Sequence, residues 1–558
     1  GYSAFLDDLS SRRIILDDDN NLNNSALGSP DEPYYWPREG LSNSNLIRGG
    51  DSIENLTGVL HWSWAGGSNT DAWRIRPVLE AINYDFTHVI DRPAAPDDVG
   101  GSFKVASFNV LNYFSTIDEG PDICGPAFDQ DCRGAHSVAE LTRQRDKIVS
   151  AMITMDADVI GLMELENNAS AAIQDLVDGL NAVAGDGAYD FIDTGTIGSD
   201  AIKVGLIYKT ATAEPVGDFA ILDTSVDPTF NDDKNRPVLA QTFVQISDGA
   251  KLTVAVNHLK SKGSPCDDVG DPGLNDGQAN CNLTRTSAAT ALANWLATDP
   301  TNSGDLDFLI TGHLNSYRME DPIDALKAGG YTDLLDALIG PDAYTYLFDG
   351  QLGYLDYAMA NGNLLGQVTG VTPWNINADE IPVFDYNDDI QDPGEASFER
   401  ESSSLPIFEN NAYRASDHDP VLVGLDLNGP PVCETATPSP EELWPVNHEF
   451  VLIDILGITD PDGDLISIVI DSIFQDEAVD ARGSGKTSPD GQGIGTSSAE
   501  VRAERSGNGN GRYYHISFTA DDGNNNSCSG VVKVSVPKSQ GNDGAAIDDG
   551  PLFDSTVS

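Results

Sequence analysis

Six short segments hold the side chains that could do chemistry: Ser107-Phe108-Asn109, Leu162-Met163-Glu164, Asn257-His258, Gly312-His313-Leu314-Asn315, Leu355-Asp356 and Ser416-Asp417-His418-Asp419-Pro420. They supply carboxylates, imidazoles and amides, the groups needed to cut a phosphodiester with a divalent metal. A carboxylate such as Glu164 can hold Mg²⁺, which takes one or two carboxylates and keeps waters for exchange with phosphate oxygens. His258 and His418 can move protons or neutralise a phosphate oxygen. His418 is the more telling, because the carboxylates beside it would orient the ring and raise its pKa. Asp356 is the candidate orienter. Singly, each residue has a plain alternative: acids are abundant in this chain, and a histidine ending a strand is usually satisfied by backbone. Their weight comes from occurring together.

These residues need a rigid frame. From residue 102 to 427, apolar strand-like runs alternate with helical patterns. Strands are expected at Phe103–Val110, Asp158–Met163, Val204–Tyr208, Leu252–Asn257, Phe308–Thr311 and Val421–Leu425. Helices are expected at Ser137–Met155 and near Thr286–Trp295. Every candidate residue then sits at or just past a strand end, where a sheet fixes its loops. Residues 1–96 contain a few β-like runs (Arg13–Leu16, Leu56–Trp64, Trp73–Pro77), too few for a whole barrel, before a linker at Pro93–Asp98. A second linker, Gly429-Pro430-Pro431, precedes an all-β stretch at 432–537, expected to be a small sandwich. The acidic tail, 538–558, is expected to be mobile.

The 558 residues exceed one core. The absence of any apolar run near the roughly 18 residues of a span excludes a helical membrane segment. The chain starts at Gly1 with no signal segment in view, and a processed or truncated start is expected. A formal net charge of −58 works against casual nucleic-acid binding. A polyanionic substrate would need a local basic path, for which Arg143, Arg145, Lys260, Lys262, Arg285 and Arg414 are candidates. The alternative is that they pair with the many acids. The six cysteines fall into neighbours Cys124/Cys132 and Cys266/Cys281 and the wider Cys433/Cys528, with no zinc spacing. Three disulfides in an oxidising, extracellular setting are expected, against free buried thiols.

The ordered set Phe108–Tyr113, Gly161–Asn168, Val256–Gly263, Glu320–Ile323, Phe348–Gln351 and Arg414–Val421 resembles the endonuclease/exonuclease/phosphatase superfamily, the DNase I-like metal-dependent phosphodiesterases. More narrowly it is similar to secreted bacterial nucleases of the ExeM/NucH type. The resemblance covers about three fifths of the chain. It implies an α+β fold: a four-layer α/β sandwich, preceded by part of an OB-like region and followed by a β-sandwich. It also implies a substrate of DNA or RNA and a cofactor of Mg²⁺ (or Mn²⁺). By position, Glu164 would hold the metal with Asn109 and Asp417 supporting it. His258 and His418 would act on phosphate, Asp356 would orient His418, and Asn315 would position water or phosphate. Two positions depart from the pattern. His313 stands where the family has Asp, and Tyr357 where the secreted nucleases have His. An imidazole cannot reproduce a carboxylate's charge, so activity is expected to be weakened or lost.

A degenerate nuclease fold serving binding or self-assembly through exposed β edges is the alternative function. A phosphatase of small or lipid phosphoesters is a third. Outside the site, Asp460, Asp462 and Asp464, and Asp521 and Asp522, lie in turns whose oxygens could hold structural Ca²⁺. Ordinary β-turns are the other reading.

Overall fold

The computed structural model describes residues 2–17, 41–64, 71–78, 86–89, 91–387, 408–480, 482–523, 526–541 and 544–557. The chain forms two compact units, residues 1–244 with 252–426, and residues 245–251 with 427–558.

The first unit opens with helix α1 (Tyr2–Arg12), which the sequence reading did not foresee. A three-stranded sheet follows, built from β1 (Ile15–Leu16), β2 (Gly58–Trp64) and β3 (Asp71–Pro77) in the order β1-β3-β2. The segment after it is tied down by buried Arg48, whose Nε lies 2.8 Å from Glu380.

Two six-stranded sheets make the body of the unit. The first contains β4 (Phe103–Tyr113), β5 (Val159–Glu166), β6 (Tyr189–Phe191), β7 (Ile202–Lys209), β16 (Val368–Pro373) and β17 (Val421–Leu425). The second contains β8 (Ala213–Leu222), β9 (Arg236–Gln245), β10 (Lys251–His258), β11 (Phe308–His313), β12 (Thr332–Asp333) and β15 (Asp356–Ala360). Their orders are β16-β17-β4-β5-β7-β6 and β12-β15-β11-β10-β9-β8, so β4/β5 and β10/β11 are the central pairs. Along the chain these strands are interleaved with helices α2 (Val138–Met155), α3 (Ala171–Ala184), α4 (Asn282–Leu296), α5 (Asp321–Ala328) and α6 (Leu334–Leu338), and with the hairpin β13 (Tyr346–Phe348)/β14 (Gln351–Gly353).

Strand alternation explains the layering. Ala106, Phe108 and Val110 of β4 and Ile160 and Leu162 of β5 share a buried core with Ile148, Met152 and Met155 of α2 and Leu176 and Leu180 of α3. The intervening residues face the second sheet. Gly161 is needed there, because a Cβ would lie 2.9 Å from Val256 Cγ2 of β10. On the second sheet α5 and α6 pack against β12, and α4 packs on α5. Helix α2 begins where expected: the Ser137 side chain accepts from Glu140 N–H. The Cys124–Cys132 and Cys266–Cys281 disulfides close two loops of this unit.

The second unit holds two four-stranded sheets. These contain β18 (Thr437–Ser439), β19 (Phe450–Leu456), β21 (Gly491–Gln492) and β22 (Ala499–Arg502), and β20 (Ser467–Gln475), β23 (Arg512–Asp521), β24 (Ser527–Val536) and β25 (Phe553–Asp554). Ile453, Ile470, Ile473, Val501, Tyr514, Ile516, Phe518 and Val534 fill the core between their inner faces, and Cys433–Cys528 is closed. The tail is not a loose end. Its strand β25 pairs antiparallel with β20, placing Asp554 opposite Phe474. Backbone bonds from Leu552 N–H to Gln475 and from Ser555 N–H to Ile473 fix it there, because they pair that stretch of the sheet edge.

Candidate active site

The parallel register of β10 and β11 puts His258 beside His313, and the antiparallel register of β11 and β15 puts His313 beside Asp356. Three chemical side chains thus end one sheet in a row. The imidazoles of His258 and His313 stack with centroids 5.0 Å apart and an interplanar angle of 12°. Gly312 makes the arrangement fit. Its φ is +126°, and a Cβ would sit 2.1 Å from the carbonyl oxygen of Asn257 on the neighbouring strand. Asn315, just past β11, has φ +50° and donates to Leu259 O at 2.9 Å, tying the two strand ends together.

Glu164 comes from the other sheet. It does not end its strand, as expected, but lies at a break in the register of β5 with both neighbours. Its φ is +68°, and Leu111 and Asn112, in the matching irregularity of β4, are at +52° and +48°. Such bulges re-aim a side chain out of the pleat. Asn109 Nδ2 donates to Glu164 Oε1 at 2.9 Å, and Asn112 N–H donates to Oε2 at 3.1 Å. The same Asn109 nitrogen lies 3.1 Å from His313 Nδ1, linking the two sheets, while its oxygen accepts from Leu111 N–H. His258 Nε2 lies 3.9 Å from Glu164 Oε1.

His418 completes the cluster from the loop before β17. Its Nδ1 is 2.7 Å from Asp356 Oδ2, which also accepts from Thr345 Oγ1 at 2.7 Å. The ring lies 4.3 Å from that of His313 and stacks on Tyr346 at 4.4 Å. His258, His313 and His418 are 3%, 5% and 4% exposed.

Burial and charge separate the three imidazoles. Burial pushes the pKa of His258 well down, helped by the positive charge of Arg236. Burial and the neighbouring His418 charge push His313 down to about 3, against the pull of Asp356 and Asp417. Burial opposes the charge on His418 too, but Asp356 and Asp417 outweigh it and raise its pKa to about 9. At neutral pH the cluster therefore holds two neutral imidazoles and one imidazolium. Burial also raises the Glu164 carboxyl, reinforced by the negative charge of Asp417. Asp417 is half-buried in this group.

Several contributors were not visible as motifs. Tyr346 stacks on the His418 ring, and Thr345 donates to Asp356, the carboxylate that holds it. The Asn377 side chain clamps the turn, its oxygen accepting from Ala415 N–H and its nitrogen donating to His418 O. Buried Asp419, already part of the Ser416–Pro420 segment, accepts from Asn377 N–H and Ala378 N–H, and burial pushes it up to about 7. Arg236, opening β9, is buried with Nε and Nη1 unpartnered. Its only sequence signal is a cation just before an apolar run.

The basic path anticipated from sequence is largely committed elsewhere. Lys262 pairs with Glu320 at 2.5 Å, and Arg145 with Asp175 at 3.2 Å. Arg414 donates to Asn377 O, and Arg143 lies over the Phe408 ring. Arg285 is fully buried and donates to backbone carbonyls of Lys260, Gln278 and Asn280. Tyr357 points away from the histidines, as alternation from Asp356 requires, and donates to Ser316 O at 2.8 Å.

Among the described residues, two groups place three or more potential metal donors within 4.8 Å of one another: Glu164/His258/His313 and His313/Asp356/His418. The turn acids at 460–464 and 521–522 form no such group. Asp460 accepts from Asp462 N–H and Asp464 N–H, and Asp521 from Gly523 N–H, as turn residues do.

No protein-family model and no curated protein matches the chain. Among solved structures, it is similar to the human Nocturnin catalytic domain with bound sulfate (14% identity, 57% of this chain and 93% of that one, TM-score 0.34). It is also similar to D. rerio TDP2 complexed with a single-strand DNA product (15% identity, 57% and 97%, TM-score 0.34). A mannosyl-6-phosphatase from Bacteroides thetaiotaomicron is a third (15% identity, 58% and 99%, TM-score 0.34).

Proposed function

We propose that the first unit is a phosphodiester hydrolase of the endonuclease/exonuclease/phosphatase superfamily, acting on DNA or RNA, and that the chain is a secreted nuclease of the ExeM/NucH type. The observation that carries this reading is the convergence of Glu164, His258, His313 and the Asp356–His418 pair at one edge of a two-sheet sandwich. The three disulfides support an oxidising compartment, and no described helix is long and apolar enough to cross a membrane.

The protein groups suit hydrolysis by an acid–base route. His418, cationic at neutral pH, can donate a proton to the departing ester oxygen while Asp356, itself held by Thr345, orients its ring. A neutral imidazole, His258 or His313, can accept the proton of the attacking water. A new P–O bond forms from water as the old ester bond breaks, and the two proton transfers balance.

Mg²⁺ does not fit the donor atoms gathered here. It requires oxygens in near-octahedral array. Around Glu164 Oε1 stand one amide NH₂, turned nitrogen-first because its oxygen accepts from Leu111, and imidazoles. Position 313, which would bring a second oxygen, brings nitrogen instead. That favours, as a second reading, a fold kept for binding or self-assembly after its Mg²⁺ chemistry was lost.

The test is cleavage of supercoiled plasmid DNA and of a structured RNA by the full chain, alongside His418→Ala and His313→Asp, with Mg²⁺, Mn²⁺ and Zn²⁺ in turn. Cleavage by wild type that falls at least a hundredfold in His418→Ala is expected. No cleavage by wild type or His313→Asp with any ion would overturn the hydrolase reading and leave the binding one.

A further inference from the structure

We propose that Glu164, His258 and His313 form a site for a first-row divalent transition ion of the Zn²⁺ class, with the hard alkaline-earth ions excluded. The assignment concerns the cluster read above as hydrolytic, but it stands on the donor atoms and not on the activity.

The donors come from both sheets and from three strands, so the fold brings them together. One carboxylate and two imidazoles have potential ligand atoms within 4.8 Å of one another. Four-coordinate Zn²⁺ with bonds near 2.0–2.1 Å spaces its ligands about 3.3 Å apart, so the set has to draw in by small side-chain rotations. The imidazoles are lightly held. His258 Nε2 lies 3.9 Å from Glu164 Oε1, too long for a hydrogen bond, and its Nδ1 is buried with no hydrogen-bond partner. On His313, Nδ1 accepts from the Asn109 amide at 3.1 Å and Nε2 is buried with no hydrogen-bond partner. Buried rings with so few partners are costly unless something uses them.

A second feature points to positive charge at this spot. A single nitrogen, Asn109 Nδ2, donates to both Glu164 Oε1 and His313 Nδ1. An amide NH₂ thus sits between the carboxylate and the imidazole lone pair, carrying the partial positive charge that both acceptors seek. A cation entering there would replace that donor with a full charge. The choice of ion follows from donor type. Imidazole suits Zn²⁺, Ni²⁺, Cu²⁺ and Fe²⁺, whereas Mg²⁺ and Ca²⁺ take oxygen. His313 therefore does more than delete an oxygen, because it adds nitrogen next to His258, the strand-register neighbour already in place. With three protein donors, a fourth position stays open for water or a phosphate oxygen, as in catalytic zinc sites.

The experiment uses the full chain stripped with chelator. Co²⁺ is the spectroscopic probe and Zn²⁺ the calorimetric one. Wild type is expected to take up one Co²⁺ with the intense visible absorption of a four- or five-coordinate, nitrogen-containing site. Zn²⁺ should displace it one for one, and millimolar Mg²⁺ should not. His313→Gln and His258→Gln should each lose the absorption and weaken Zn²⁺ at least tenfold, with melting temperatures in chelator showing that both remain folded. His313→Asp keeps a donor but swaps nitrogen for oxygen, so its Co²⁺ spectrum should change and Mg²⁺ should now compete. That variant carries the test if a glutamine variant misfolds. The proposal is overturned if wild type has no one-to-one site, if both glutamine variants keep spectrum and affinity, or if Mg²⁺ displaces Co²⁺ from wild type. Plasmid cleavage measured in parallel separates the two readings. Tight Zn²⁺ binding with no cleavage by wild type or His313→Asp removes the hydrolase but leaves the metal site, and Mg²⁺-driven cleavage without Zn²⁺ binding does the reverse.

Discussion

Acid should destabilise this fold through the imidazole at position 313, by an amount that can be worked out. The perturbation is His313→Gln, compared with wild type in metal-free protein at pH 7 and pH 5. His313 is 5% exposed, and burial together with the charge on His418 holds its pKa at about 3 in the folded protein. In the unfolded chain a histidine titrates near 6.5. The folded value is the lower one. The contribution is therefore whole above about pH 6.5 and is lost as the pH falls toward 3, because the unfolded chain takes up the proton first. At pH 5 the loss is about 2 kcal/mol, from 1.36 kcal/mol for each tenfold excess of proton uptake. For a unit of this size that is roughly 2–4 °C in melting temperature. His258 is also held low, chiefly by burial and Arg236, which act in both proteins. His418 works in the opposite direction. With its pKa raised to about 9, its stabilisation is whole below about 6.5 and is lost as the pH rises through 9. Differential scanning calorimetry in chelator measures all of this. Between pH 7 and pH 5, wild type should lose about 2 kcal/mol more than the glutamine variant. Equal losses in the two proteins, or an excess loss confined to alkaline pH, would refute the reasoning.

Asp356→Asn leaves His418 without its buried counter-charge. Breaking such a pair costs about 3–5 kcal/mol, read by calorimetry at pH 7, and phosphodiester cleavage should fall at least a hundredfold. Gly312→Ala puts a Cβ against the Asn257 carbonyl at a φ of +126°. It should cost about 3 kcal/mol or more through backbone strain, seen as a lowered melting temperature. Replacing Cys266 and Cys281 together by serine opens a loop of 15 residues. That should remove about 3 kcal/mol on the loop-entropy account, measured as the shift in thermal unfolding under oxidising conditions.

The strands that carry the site were legible because they are buried on both faces and read as continuous apolar runs. Val421–Leu425 is such a run, and His258 and His313 fall where the runs ending at Asn257 and Thr311 give way to polar residues. The Ser416–Pro420 turn was legible from its own composition. The way Glu164 enters the site was not. A register break with left-handed glutamate, leucine and asparagine leaves no mark in a pattern of alternation, since glutamate and leucine are not favoured at positive φ and one asparagine, which is, does not mark a bulge in a chain rich in asparagine. The supports of His418 were hidden for a different reason. Thr345, Tyr346 and Asn377 are ordinary residue types, and they gain their roles from a fold that brings residues 345, 356, 377 and 418 together. The edge strand Phe553–Asp554 was masked by the acidic segment around it, where two adjacent apolar residues, Leu552 and Phe553, are too short a run to signal β-structure.

Position 313 gains a second meaning once the chain is folded. From sequence, the resemblance expects a carboxylate there, and the inference stops at an expectation of weakened Mg²⁺ chemistry. In the fold, the same ring is the middle member of a row. It stacks on His258, lies 4.3 Å from His418 and shares a donor with Glu164. A carboxylate at that point would face Glu164, Asp356 and Asp417 at close quarters and would need a cation to neutralise the group. The imidazole lets the pocket persist without one, because a buried neutral ring beside an imidazolium costs less than a fourth carboxylate. Histidine at 313 thus lessens the electrostatic need for a hard divalent ion while offering nitrogen donors to a softer one. A weaker need for a hard cation and the nitrogen donors of the proposed transition-ion site are therefore two consequences of one side chain.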